Sequence, residues 1–219
     1  MPPSGLLIVT IVFIDEIDYV ENRWYNRLNK SGIVSFIEFC RKRMDYAIVL
    51  YMNDEKTAMI HAMIQDLAPE CGSGYCLGIV PHVTISAITS DDEEAVKEAA
   101  SRLSKKLTKG EIKVASIGVF NPLVLFLAPI VDSYLIESSQ IANDTMLKVS
   151  EIGNKGRYIP NFWVPHMAVA MKMEKEGLYK AFKKLSEIFT PFCAEISKMA
   201  LIKWEEDNPY QELAVYDLN

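Results

Sequence analysis

Two of the three histidines in this 219-residue chain recur in one local context: Pro81-His82-Val83-Thr84-Ile85 and Pro165-His166-Met167-Ala168-Val169. An imidazole titrates near pH ~6.5, so at neutrality one ring can accept a proton while its twin gives one. Set on a single phosphorus centre, such a pair could cleave a phosphodiester, one ring deprotonating the attacking oxygen and the other protonating the leaving oxygen. Each motif opens a strand-like stretch, and side chains alternate faces along a strand. His82, Thr84 and Ser86 are therefore expected on one face, with Val83 and Ile85 on the other. The Thr84 hydroxyl is then placed to donate to a phosphate oxygen. In the second copy His166, Ala168 and Ala170 are expected to share a face, with Lys172 next in register. At ~3.3 Å per residue Lys172 stands about 20 Å from His166, too far to reach the same phosphate.

A single histidine on a strand is usually a hydrogen-bonded structural residue; the repetition in two matching halves singles these two out. His61 lacks such a context. It falls on a predicted helix opposite Met59 and Met63 and reads as a solvated surface residue.

The elements that must position the pair follow from periodicity and punctuation. A strand is predicted over residues 46–52, then a helix capped by Asn53 or Asp54, with Met59, Ile60, Met63, Ile64 and Leu67 on its buried side. A strand over 80–87 leads to a helix over 93–107, stopped by Gly110. The runs 112–120 and 123–128, parted by Asn121-Pro122, suit an antiparallel hairpin. A helix over 132–149 is followed by a loop with Gly153, Gly156 and Pro160, a strand over 164–171 and a helix over 174–189. Strands over 194–204 and 212–216 close the chain around an Asp207-Asn208-Pro209 turn. Strands and helices thus alternate in two similar halves without a flexible linker, which predicts an α+β fold of two lobes packed as one unit.

Residues 1–43 read differently and are taken as an N-terminal extension, a strand plus a short helix, with the two-lobed domain over 44–219. The apolar run 6–14 falls short of the about 20 residues needed to span a membrane. No basic residue precedes it and Asp15, Glu16 and Asp18 follow, so an export signal is not expected either. A net charge of −6 argues against holding long nucleic acid through many phosphates. The four cysteines, Cys40, Cys71, Cys76 and Cys193, lack the spacing of a metal site and are read as buried or incidental thiols of a cytoplasmic protein. The acidic run 91–94 and the pair Lys183-Lys184 read as solvated helix faces.

The repeated His-x-Thr/Ser pattern resembles the signature of the 2H phosphoesterase superfamily, which includes bacterial RNA 2′,3′-cyclic phosphodiesterases historically called 2′-5′ RNA ligases. The resemblance extends over residues 44–219. It is similar in particular to a Firmicute-type group through Tyr46-Ala47-Ile48-Val49-Leu50-Tyr51 and Trp163-Val164-Pro165-His166. It implies a bilobal fold with two antiparallel sheets facing across a cleft and helices outside, no metal or other cofactor, and chemistry at 2′-linked or cyclic phosphate. Carried over by position, His82 and Thr84 match one complete motif and His166 matches the second histidine. Ala168 departs from the pattern: it puts a methyl group where the family usually has Thr or Ser. One lost hydrogen bond to a charged group costs roughly 1.5–3 kcal/mol. Arg157 and Tyr158, in the loop before the second motif, are candidates for a phosphate contact and a base-stacking ring. Trp163, with Phe120 and Tyr51, is a candidate lining residue.

The expectation is a metal-independent phosphodiesterase on a small 2′,3′-cyclic phosphate or 2′-5′-linked nucleotide or RNA end, with His82 and His166 catalytic. It is expected to be a monomer, with residues 1–43 the segment through which it could dimerise, and to bind neither membrane nor long nucleic acid. The alternative is a nucleotide or RNA-end binding protein of the same fold with weak or no turnover. A third reading, an interaction module with structural histidines, predicts that their loss harms stability rather than activity.

Overall fold

Apolar and β-branched side chains at successive positions suit a strand buried on both faces, and these residues form β1 (Met44–Met52). Tyr46, Ile48, Leu50 and Met52 enter the main core, while Ala47, Val49 and Tyr51 join a second cluster on the opposite face. The computed structural model describes residues 43–71, 75–120, 124–204 and 210–219. The chain divides after Lys42. The N-terminal extension, its expected strand and helix, Cys40 and the two Asn-Pro turns fall outside the described residues, save Arg43 at the end of that helix.

Asn53 caps α1 (Asp54–Cys71), its Oδ1 accepting from the Lys56 N–H at 3.1 Å, which satisfies one of the orphan donors of the first turn. Ile60, Ile64 and Leu67 are its buried stripe, with Met59 and Met63 packed at the edge. Because the stripe centres on the isoleucines, His61 lies at its other margin and is half-buried, less exposed than a solvated surface residue is expected to be. Asp92 and Asp132 cap α2 (Glu93–Ser104) and α3 (Ser133–Met146) in the same way, accepting from Ala95 and Leu135 at 3.0 and 2.9 Å. α4 (Lys175–Ile188) buries Leu178, Ala181 and Leu185. The second and third helices end about three residues before the sequence pattern suggested.

The remaining strands are β2 (His82–Ser90), β3 (Gly110–Phe120), β4 (Val124–Pro129), β5 (Glu151–Ile152), β6 (Met167–Met171), β7 (Phe192–Trp204) and β8 (Gln211–Asp217). The pair Glu151–Ile152 was not foreseen, and β6 begins three residues later than expected, so His166 stands just before the strand rather than on it. All pairings are antiparallel, in the order β5-β2-β1-β7-β3-β4-β6 with β8 also on β7. Two strand groups, each with one histidine motif, share β7: its Phe192–Ile196 end pairs with β3, and from Ile196 to Trp204 it pairs with β1. The main core lies between this sheet and the helices, where α1 packs on α4 and α2 on α3. Cys76 is buried and Cys193 exposed. Among the described residues no helix is long and apolar enough to cross a membrane.

Candidate active site

The two histidines face away from the main core, and a bulge in each strand limits how far that face extends. β2 pairs with β1 as His82↔Tyr51, Val83↔Leu50 and Thr84↔Val49, but Ser86 then meets Ile48, leaving Ile85 unpaired. A bulge puts two consecutive residues on one side and reverses the alternation beyond it. His82 and Thr84 therefore share the face of Tyr51 and Val49, as expected. Ser86 does not: it lies with Ile48 on the helix side, and its hydroxyl donates to Asn143 Oδ1 at 3.3 Å. The second motif repeats the device. Ala168 pairs with Phe126 and Ala170 with Leu125, leaving Val169 unpaired. Ala168 stays on the Phe126 face, whereas Ala170 is a core residue, and Lys172 has left the strand with φ 55°. The expected three-residue faces are thus cut to two by a bulge three residues after each histidine.

The rings themselves are held alike. His82 Nδ1 bonds the Val80 carbonyl at 2.7 Å and His166 Nδ1 bonds the Val164 carbonyl at 2.8 Å. In both cases a proline, Pro81 or Pro165, lies between, keeping the preceding valine extended. A carbonyl only accepts, so Nδ1 carries the hydrogen and Nε2 presents its lone pair. Both rings are half-buried. Loss of water disfavours the imidazolium and pushes His82 down to about 4, against the Val80 bond, which favours the cation; a charge on His166 adds to the lowering. His166 is lowered too, by burial, against the pull of its bond to Val164. His82 therefore senses the charge of His166, and burial favours the neutral form of both rings.

Their surroundings differ. Beside His82 are Tyr210, stacked at 5.7 Å, and Tyr51, edge-on at 6.4 Å. The Tyr51 hydroxyl donates to Glu212 at 2.8 Å and is hydrogen-bonded to Tyr210. Around His166 are Phe120 at 4.8 Å and Phe126 at 5.5 Å, both edge-on, and Tyr158, stacked at 6.1 Å. Phe126 fits only because Gly118 lies opposite it: a Cβ there would stand 2.4 Å from the ring. Tyr158 relates the two motifs: its ring lies on His166, and the Thr84 hydroxyl pulls its pKa down against the rise that burial imposes. Thr84 is buried.

Of the residues singled out from sequence, His82, Thr84, His166 and Tyr158 are brought together. Arg157 is exposed next to Tyr158 and lowers the tyrosine's pKa by its charge, although burial raises it more. Trp163 has no ring contact with either histidine among the described residues. It packs on the main core, and its indole N–H is buried without a partner among the described residues. Tyr51 and Phe120 do border the histidines. Tyr210, Glu212, Phe126 and Asn143 were missed, for none lies near a motif in sequence. Among the described residues no group of three or more His, Cys, Asp or Glu could hold a metal ion.

The model of one family, the 2′-5′ RNA ligase superfamily, matches residues 56–208, more than half of the chain. The chain belongs to that superfamily. No curated protein matches it. Solved structures of similar fold include Escherichia coli LigT in complex with 3′-AMP, with 11% identity and a TM-score of 0.54 over 81% of this chain and 99% of that one. TT0787 of Thermus thermophilus shares 14% identity at a TM-score of 0.54, over 80% and 98%. A protein described as a phosphoesterase shares 14% at 0.55, over 81% and 99%. At such identities the likeness is one of fold, and the 2′-5′ RNA ligase superfamily, with the 2H phosphoesterase fold, is what the comparisons establish.

Proposed function

We propose that the chain is a phosphodiesterase that acts on small 2′,3′-cyclic phosphates or 2′-5′-linked nucleotides and RNA ends by proton transfer through His82 and His166. The observation that carries this reading is the identical mooring of the two rings, each with Nδ1 on a carbonyl two residues upstream and Nε2 left to act. One Nε2 takes the proton of the attacking oxygen; the other, protonated when the anionic phosphate arrives, gives its proton to the departing ribose oxygen. Thr84 donates a hydrogen bond to a phosphate oxygen, and the exposed Arg157 adds positive charge at the edge. Family membership supports the reaction class. That LigT of the same fold has been crystallised with 3′-AMP and with ATP supports a small nucleotide as substrate.

The test is a panel of 2′,3′-cyclic nucleotides and 2′-5′ dinucleotides assayed on wild type, His82→Ala and His166→Ala, with and without EDTA. Each substitution is expected to lower turnover by roughly 10²–10⁴-fold while far-UV circular dichroism stays unchanged, and EDTA is expected to have no effect. Turnover that survives both substitutions, or that needs a divalent ion, would remove the proposal.

A second reading, binding without efficient turnover, is favoured by the apolar setting of His166, where Phe120, Phe126 and the methyl group of Ala168 stand. Ala168→Thr separates the two. A rise in kcat without tighter substrate binding identifies a working site that lacks one donor.

A further inference from the structure

The second motif supplies no hydroxyl, yet a hydroxyl does stand between the motifs. We infer that the Tyr158 phenol is this chain's second phosphate-binding donor, delivered by the loop before His166 in place of the side chain missing at Ala168. The inference rests on the phosphodiesterase reading and assigns a role within the same site.

Three observations place it there. The ring lies on His166, with centroids 6.1 Å apart and 30° between planes. The Thr84 hydroxyl, the one donor that the first motif provides, acts on the phenol and pulls its pKa down against burial. The tyrosine's backbone is fixed from behind: Asn143, only 4% exposed, donates through Nδ2 to the Tyr158 carbonyl at 3.3 Å. The same amide nitrogen donates to the Ile85 carbonyl at 3.2 Å, and Asn143 Oδ1 accepts from Ser86. Ile85 is the bulge residue directly after Thr84, so one buried side chain sets both the strand that carries Thr84 and the loop that carries Tyr158. Asn143 is thus a positioning residue for two donors. An arriving phosphate oxygen can take charge-assisted hydrogen bonds from both hydroxyls. The neighbouring charge of Arg157 acts in the same direction.

Tyr158→Phe keeps the ring and removes only the oxygen. Turnover of a 2′,3′-cyclic nucleotide is expected to fall about ten- to hundredfold, chiefly in kcat. The affinity for inorganic phosphate, read from the histidine ring-proton resonances, is expected to fall by a similar factor. In an Ala168→Thr background the same substitution is expected to cost less than about threefold, because the new hydroxyl takes over. Wild-type turnover and phosphate affinity in Tyr158→Phe would overturn the assignment, as would equal losses in the two backgrounds. Should the wild-type protein show no turnover, the phosphodiesterase reading fails alone, and the phosphate titration still decides whether Tyr158 holds the anion.

Discussion

Both imidazoles have given up Nδ1 to a backbone carbonyl, so any proton they gain must enter at Nε2, in a setting short of water. The consequence is a pH signature with a definite sign. His82 titrates near 4 in the folded chain and near ~6.5 when unfolded, so between those values the unfolded state binds more protons. His166 acts in the same sense. Stability is thus complete above about pH 6.5 and declines as pH drops toward 4, by on the order of 3 kcal/mol for His82. Urea denaturation at pH 7, 5.5 and 4 is expected to show this slope, and His82→Gln to flatten it; an unchanged slope would refute the assignment. The proposed mechanism needs one ring charged and one neutral, so kcat/KM is expected to peak between pH ~4 and ~6.5, with its alkaline limb below the ordinary histidine range. This pair was legible in the sequence because only three histidines exist and two share a context. Tyr210 and Phe126 were not legible, since contact across a sheet leaves no trace in local spacing.

At the scale of the element, hydrophobic pattern and capping residues predicted most strands and helices to within a few residues. Asn53, Asp92 and Asp132 cap helices as their types suggest. The bulges at Ile85 and Val169 escaped because the period-2 pattern has no symbol for an extra residue, and apolar side chains on both sides of β2 hide the reversal. Gly118 is the clearest element-level test. Gly118→Ala drives a methyl group into the Phe126 ring, and overpacking of this kind costs typically 1–3 kcal/mol. The ring must move, and His166 rests on it. Gly118→Ala is expected to lower both melting temperature and kcat; normal values of the two would mean that Phe126 gives no support to the histidine.

For the described part of the molecule, the decisive feature is the sharing of β7. Ile196 pairs with Met52 of β1 and with Gly110 of β3, and it is fully buried. Neither strand group has a private edge at that point, so they are expected to unfold together. Tryptophan fluorescence and far-UV circular dichroism of residues 43–219 should give coincident urea transitions. Ile196→Ala is expected to shift both by roughly 2–5 kcal/mol, and two separated transitions would contradict this account. The twofold repetition of strand, helix and hairpin could be read from the chain. The common strand could not, because it is defined by partners about 85 and 145 residues away along the chain.

The reversal of parity after the third residue of each motif also fences the ways in which this surface can be altered. A polar group written at position 168 emerges on the side of His166, whereas the same group at 170 is driven among Leu125 and the helices. Selection or engineering that seeks a new contact beside His166 finds position 168 open to it and its neighbour two steps on closed.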